Sequence, residues 1–317
     1  MRARDVLLAL LVIALWGVNF VVIKVGLRGV SPFVLGGLRF ALASFPAVLL
    51  LPRPRVPARL YLGFALASFL GQFSLLFWAI KVGMPSGLAS LVLQSQVFFT
   101  VLLAGLLLGE RPRRIQLWGM GVAAAGLAWI GVRGGSSFPL GGFLLTLGAA
   151  ASWAAGNMAS RALSRHGPVN GVAFVVWAGL LPIVPFFALA LVFEGPEGVA
   201  ASFRSMGLTS WAAAGYLAYA ATLGGYGLWN RLLRQYPAAQ VSRFTLLVPV
   251  VGLFSGAVAL GERLTADQLA GSALVVAGLA LPLLAARRMK PAAAVSPDPA
   301  GWTGERDSRT PAPFRSP

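Results

Sequence analysis

Few residues in this chain can hydrogen-bond or carry charge, with 57% hydrophobic and only 11% charged residues, so those that can are informative by position. Trp16 and Asn19 lie three apart in an apolar run that reaches Lys24; Trp153 and Asn157 lie four apart in another that reaches Arg161. At helical spacing each Trp and Asn share one face, and an amide inside hydrocarbon needs another helix or a hydrated cavity. Phe20 extends the first motif, and Gln72, Gln94, Tyr226 and Asn230 are further polar or aromatic groups deep in apolar runs. This is the chemistry of coordinating a polar solute, and none of these groups is a nucleophile or base. The chain has no cysteine and a single histidine, His166, so thiolate chemistry, zinc clusters and histidine-dependent catalysis lack material. No Gly-x-x-x-x-Gly-Lys loop is present for nucleotide phosphates. No enzyme activity, cofactor or metal is expected.

The elements that must position these groups are membrane spans. A soluble fold of this composition would expose apolar surface it could not cover. Counting runs of about 20 apolar residues, we read ten spans, near 6–25, 33–51, 60–80, 86–108, 115–132, 140–163, 169–193, 211–233, 239–260 and 265–286. They form an internal duplication. Leu108-Gly109-Glu110-Arg111 recurs as Leu260-Gly261-Glu262-Arg263; in register with it, Gln116-Leu117 matches Gln268-Leu269, Gly119 matches Gly271, and Ala125-Gly126-Leu127-Ala128 matches Ala277-Gly278-Leu279-Ala280. Five spans separate the copies, an odd number of crossings, so the halves are inverted repeats. We therefore expect an all-α membrane protein with a first repeat at 1–137, a second at 138–288, and a Pro/Ala/Ser-rich disordered cytoplasmic tail at 289–317. The net charge of +17 reflects basic residues between the spans, not a nucleic-acid-binding face. Their bias to alternate loops places both termini in the cytoplasm by the positive-inside rule. Inverted repeats in a membrane point to a secondary transporter with a site at the repeat interface.

Charged residues close to or within spans need an explanation, because a central arginine costs roughly 2.5–3.5 kcal/mol on insertion scales. Arg243 follows Ser242, whose counterpart is Ser90, while its own counterpart is the apolar Leu91; this broken symmetry makes Arg243 a candidate for meeting a substrate carboxylate. Arg39 reads as structural, holding helix ends. Glu110 with Arg111, and Glu262 with Arg263, read as helix-end caps or as gates at the two mouths of a pathway. Pro249, whose counterpart is Val97, reads as a hinge that frees the Thr245 carbonyl. No Asp or Glu falls mid-span, which favours downhill export over a carboxylate proton relay. Gly105 with Gly109, Ala257 with Gly261, and Gly252 with Gly256 form small-x-x-x-small pairs that suit close helix packing within the chain or a homodimer seam.

The Trp16-Gly17-Val18-Asn19-Phe20 opening, the two Gly-Glu-Arg copies and the inverted halves resemble the EamA-type carriers of the drug/metabolite transporter superfamily over residues 5–286. The stretches 16–27, 83–94 and 246–253 are similar to its O-acetylserine and cysteine exporter group. The resemblance implies alternating-access export of small amino-acid metabolites across a bacterial inner membrane, with the lipid bilayer and a small-molecule substrate as partners. Other metabolites, aromatic amino acids or drugs are the alternative cargo; a lipid translocase or a purely structural membrane protein is the alternative class.

Overall fold

The computed structural model describes residues 1–133, 138–163, 165 and 169–288; the tail expected to be disordered lies outside them. The described residues form helices and no strands. Seven helical stretches are long and apolar enough to cross a membrane: Ala3–Gly26, Pro32–Leu50, Ala58–Lys81, Ser86–Leu108, Arg114–Arg133, Gly171–Ser205 and Arg243–Leu260. Two further long helical stretches are less apolar for physical reasons. Leu140–Leu163 is diluted by glycines and by Ser152, Trp153 and Asn157. The continuous rod of Leu208–Gly215, Tyr216–Gly224 and Gly225–Gln235 is diluted by glycine, Tyr226 and Asn230. The last helix, Ala266–Arg288, spans 23 residues and is interrupted by Pro282.

Departures from α-helical geometry recur in register between the halves. Ala65–Gly71 and Tyr216–Gly224 are both π-helical, and Leu93–Ser95 and Ser242–Leu247 are both 3₁₀. Such segments loosen the regular backbone ladder and are frequent at functional sites. Pro249 therefore does not create a kink in one half alone. It occupies the first turn of Val248–Leu260, where a missing N–H costs little, and the irregular turn precedes it in both halves.

The two Gly-Glu-Arg copies end their helices identically. Gly109 and Gly261 both take φ of 65°, the left-handed conformation favoured by glycine. The next amide folds back each time, from Glu110 to the Ala104 carbonyl at 3.3 Å and from Glu262 to the Gly256 carbonyl at 3.2 Å.

Packing between the halves is reciprocal. Arg114–Arg133 lies along Ala266–Arg288. A Cβ on Gly119 would fall 2.5 Å from the Gly278 carbonyl oxygen, and one on Gly126 would fall 2.6 Å from that of Gly271. Gly119 and Gly271 are repeat counterparts, as are Gly126 and Gly278, so each glycine meets the counterpart of the other. In the same way Ala3–Gly26 packs on Val248–Leu260, and Gln96–Leu108 packs on Leu140–Leu163. Gly252 lies against Ser90, and Gly256 against Glu262 and Ser86, which assigns that small-residue pair to packing within the chain.

Candidate functional site

A cavity of about 890 Å³ lies between the halves. It falls in the size range of small-molecule sites. Nine residues singled out above line it: Trp16, Asn19, Phe20, Gln72, Gln94, Trp153, Asn157, Tyr226 and Asn230. The helices bearing Trp16 and Trp153 contribute an aromatic and an amide each, as their spacing implies.

The wall is held by contacts between distant segments. The Trp16 indole donates to the Ala221 carbonyl at 3.0 Å within the π-helical turn, and its ring meets Tyr226 and Trp229 with centroids 5.6 and 5.3 Å away. Gly225 makes this possible, since a Cβ there would collide with the indole nitrogen. Asn157 donates to Gln96 at 2.9 Å and to Thr100 at 3.2 Å, an interhelical bond at the cavity edge. Gln94 donates to the Thr245 carbonyl at 3.4 Å; the Val248 amide also donates to that carbonyl within the 3₁₀ turn, so Pro249 does not leave it free as its position in the sequence suggested. Asn19 is buried, and its Oδ1 has no hydrogen-bond partner among the described residues.

Two placements differ from expectation. Arg243 is exposed at the start of its span and is absent from the cavity wall. Arg39 is on that wall instead, 3% exposed. Its Nε donates to the Thr222 hydroxyl at 3.2 Å, its guanidinium carbon sits 3.9 Å from the Phe73 ring centroid, and its Nη1 lacks a partner among the described residues. Gly36 and Gly37 let Phe186 and Phe187 approach this helix closely, which helps bury the arginine. Sequence reasoning named Arg39 and misplaced it, because its surroundings come from segments remote in the chain. The usable signal was the lack of any mid-span carboxylate to pair with it.

The Gly-Glu-Arg carboxylates pair across the fold, not with their neighbouring arginines; Arg111 and Arg263 are both exposed. Glu262 Oε1 accepts from Lys24 Nζ at 2.7 Å, from the Ser86 amide at 2.8 Å and from the Ser86 hydroxyl at 3.0 Å, while Oε2 accepts from the Gly87 amide at 3.0 Å. The carboxylate thus caps the start of Ser86–Leu108, where the helix dipole favours negative charge. Burial pushes its pKa up, but the Lys24 hydrogen bond, the Gly87 and Ser86 amides and the Lys24 charge outweigh burial, so the net shift is downward. Glu110 pairs with Arg161 at 2.7 Å, with both side chains more than two-fifths exposed.

Glu262 caps one end of Ser86–Leu108 and Glu110 follows its other end, so a helix of 23 residues, at about 1.5 Å per residue some 34 Å, separates the two clusters. Ser160, Leu163, Val169 and Leu233 line the cavity, whereas Lys24, Ser86 and Glu262 do not, nor do Glu110 and Arg161. Neither carboxylate is itself on the cavity wall; the wall does include Ser160 and Leu163, which flank Arg161 in sequence.

The EamA-like transporter family model matches residues 4–132 and 140–284. The chain belongs to this family. It is 48% identical over 282 residues to a "probable amino-acid metabolite efflux pump" of Salmonella typhimurium, covering 88% of this chain and 94% of that relative. The Escherichia coli protein of the same description is 45% identical with the same coverage. A solved crystal structure with 22% sequence identity aligns over 91% of this chain and all of its own at a TM-score of 0.61, a likeness of fold. As an EamA-like protein the chain is a multi-pass membrane transporter of small molecules, not an enzyme.

Proposed function

We propose that this protein is a secondary exporter of small amino-acid metabolites, with O-acetylserine and cysteine as its substrates, working by alternating access. In this reading ten spans form two inverted five-helix halves, both termini are cytoplasmic, and the Glu110 end faces the cytoplasm of a bacterial cell. One observation carries it: a polar and aromatic cavity between the halves, with repeat-related ion pairs at the two ends of Ser86–Leu108, the Glu262 carboxylate nearly buried and the Glu110 carboxylate exposed. Lys24 and Arg161 occupy equivalent places in the two halves, as do Glu262 and Glu110, so each mouth has a copy of the same closure. The efflux-pump relatives support the direction and the cargo class. The wall favours a compact solute over a lipid, because side-chain amides recur along it, with the Tyr226 hydroxyl and the Arg39 guanidinium beside them.

Counterflow in proteoliposomes tests the cargo, with a panel of O-acetyl-L-serine, L-cysteine, aromatic amino acids, sugars and quaternary cations. Exchange of O-acetyl-L-serine and L-cysteine above the others is expected. Preference for quaternary cations would overturn the cargo assignment, since a basic cavity repels them.

A further inference from the structure

The cavity wall has a charge imbalance that packing alone does not account for. Of its lining residues Arg39 is the only one with full charge, and no Asp or Glu is among them. Arg39 makes no ion pair with a carboxylate among the described residues. A buried cation in a span is strongly disfavoured unless it is paired or serves a ligand. The Thr222 hydroxyl takes one of its five N–H donors, and the Phe73 face supplies a cation–π contact, which still leaves the buried Nη1 without an acceptor.

A second unmatched group on the same wall has the opposite polarity. Asn19 is 7% exposed, and its Oδ1 is an acceptor without a donor among the described residues. Trp16, one helical turn before it, and Tyr226, in ring contact with Trp16, line the same cavity. An unmatched cationic donor and an unmatched acceptor accompanied by π faces in one cavity are the complement of a zwitterion. A carboxylate suits the planar guanidinium fork, and an ammonium suits an amide oxygen and aromatic rings.

We propose that Arg39 anchors the substrate α-carboxylate and that Asn19, with Trp16 and Tyr226, receives the α-ammonium, so that the carrier selects for an unmodified amino-acid head and tolerates varied side chains. This rests on the transport reading above and narrows it. Thr222 is a positioning residue: its hydroxyl accepts from Arg39 Nε and donates to the Leu217 carbonyl at 2.8 Å, fixing the guanidinium against the π-helical turn.

The test is flux in proteoliposomes at matched folded protein, comparing O-acetyl-L-serine and L-cysteine with their carboxamides. The unaltered protein should prefer the free acids. Arg39→Gln should reduce the acid-to-amide ratio on the order of tenfold, because the lost bond is charge-assisted and the repulsion of a cationic amide is relieved. Arg39→Lys should retain part of the ratio, keeping charge without the fork, and Thr222→Val should lower it less than Arg39→Gln. Purely structural roles would depress acids and amides together and leave the ratio alone. If Arg39→Gln does not fold, Arg39→Lys and Thr222→Val still read the ratio. An unchanged ratio across the folded variants would overturn the anchor while transport stands; absence of any amino-acid flux in the unaltered protein would overturn both.

Discussion

The two ends of Ser86–Leu108 carry the same sequence motif in different states. At one, Glu262 is nearly engulfed, its side chain 10% exposed, with four hydrogen bonds from Lys24, Ser86 and Gly87. At the other, Glu110 is 42% exposed and has one ion pair, to Arg161. Identical local chemistry, down to the left-handed glycine that ends each helix, thus gives a lock in one place and a loose surface pair in the other. The deciding factor is whether the carboxylate reaches the N-terminus of the partner helix. In register, the residues matching Ser86 and Gly87 are Ala238 and Ala239, so a closed Glu110 end would have backbone amides to receive the carboxylate but no hydroxyl. The comparison teaches that one fold can hold two unequal closures, with the stronger one at the Glu262 end.

Removing the lock should have the largest effect. Glu262→Gln leaves Lys24 without its counter-charge and replaces charge-assisted bonds with neutral ones, a loss on the order of 1–3 kcal/mol. We expect labelling of a cavity cysteine, Leu76→Cys, by an impermeant thiol reagent from the Glu262 side to rise by tenfold or more. The native chain has no cysteine, so the signal comes from one site. Glu110→Gln should change labelling from either side less than about fivefold, because exposed pairs contribute only about 0–1 kcal/mol. Equal responses to the two substitutions would break the comparison.

Acid should act on the lock in the same direction with a gentler slope. The closed-state pKa of Glu262 is held below the ordinary 4.5. A depressed carboxylate pKa stabilises the closed end fully above the ordinary value, and that stabilisation is lost as pH falls through the closed-state value. Labelling from the Glu262 side should therefore be flat at neutral pH and rise only below about pH 4.5. The pH series in Glu262→Gln, which has no carboxyl to titrate at that position, should lose this rise. The smallest expected change is Ser86→Ala, which removes one of the four hydrogen bonds to the carboxylate, leaves Lys24 and both backbone amides in place, and should raise the same labelling a few-fold.

Much of the cavity was legible because membrane burial makes polar residues expensive. Asn19, Gln72, Gln94 and Asn157 had to be satisfied by helices or by a cavity, and in the structure all four line one cavity. What was not legible depended on partners remote in sequence. Broken repeat symmetry drew attention to Arg243, yet a residue in the first turns of a span can reach the surface, and Arg243 does. Arg39 sits mid-helix, and its Thr222 and Phe73 contacts come from other segments. The duplication matched Gly119 with Gly271, but only tertiary structure shows Gly119 meeting Gly278. Leu140–Leu163 and the rod from Leu208 to Gln235 were read as spans although they are less apolar, and the residues that dilute them, among them Trp153, Asn157, Tyr226 and Asn230, line the cavity.

The central claim is that a single cavity is exposed to the two faces in turn. Its most direct test is the rate at which Leu76→Cys reacts with an impermeant thiol reagent added to one side or the other of oriented vesicles, with and without saturating O-acetyl-L-serine. The account predicts fast reaction from the Glu110 side and protection from the Glu262 side at rest, with substrate slowing the first and speeding the second. Reaction from both sides at equal rates, or none from the Glu262 side under any condition including Glu262→Gln, would contradict it.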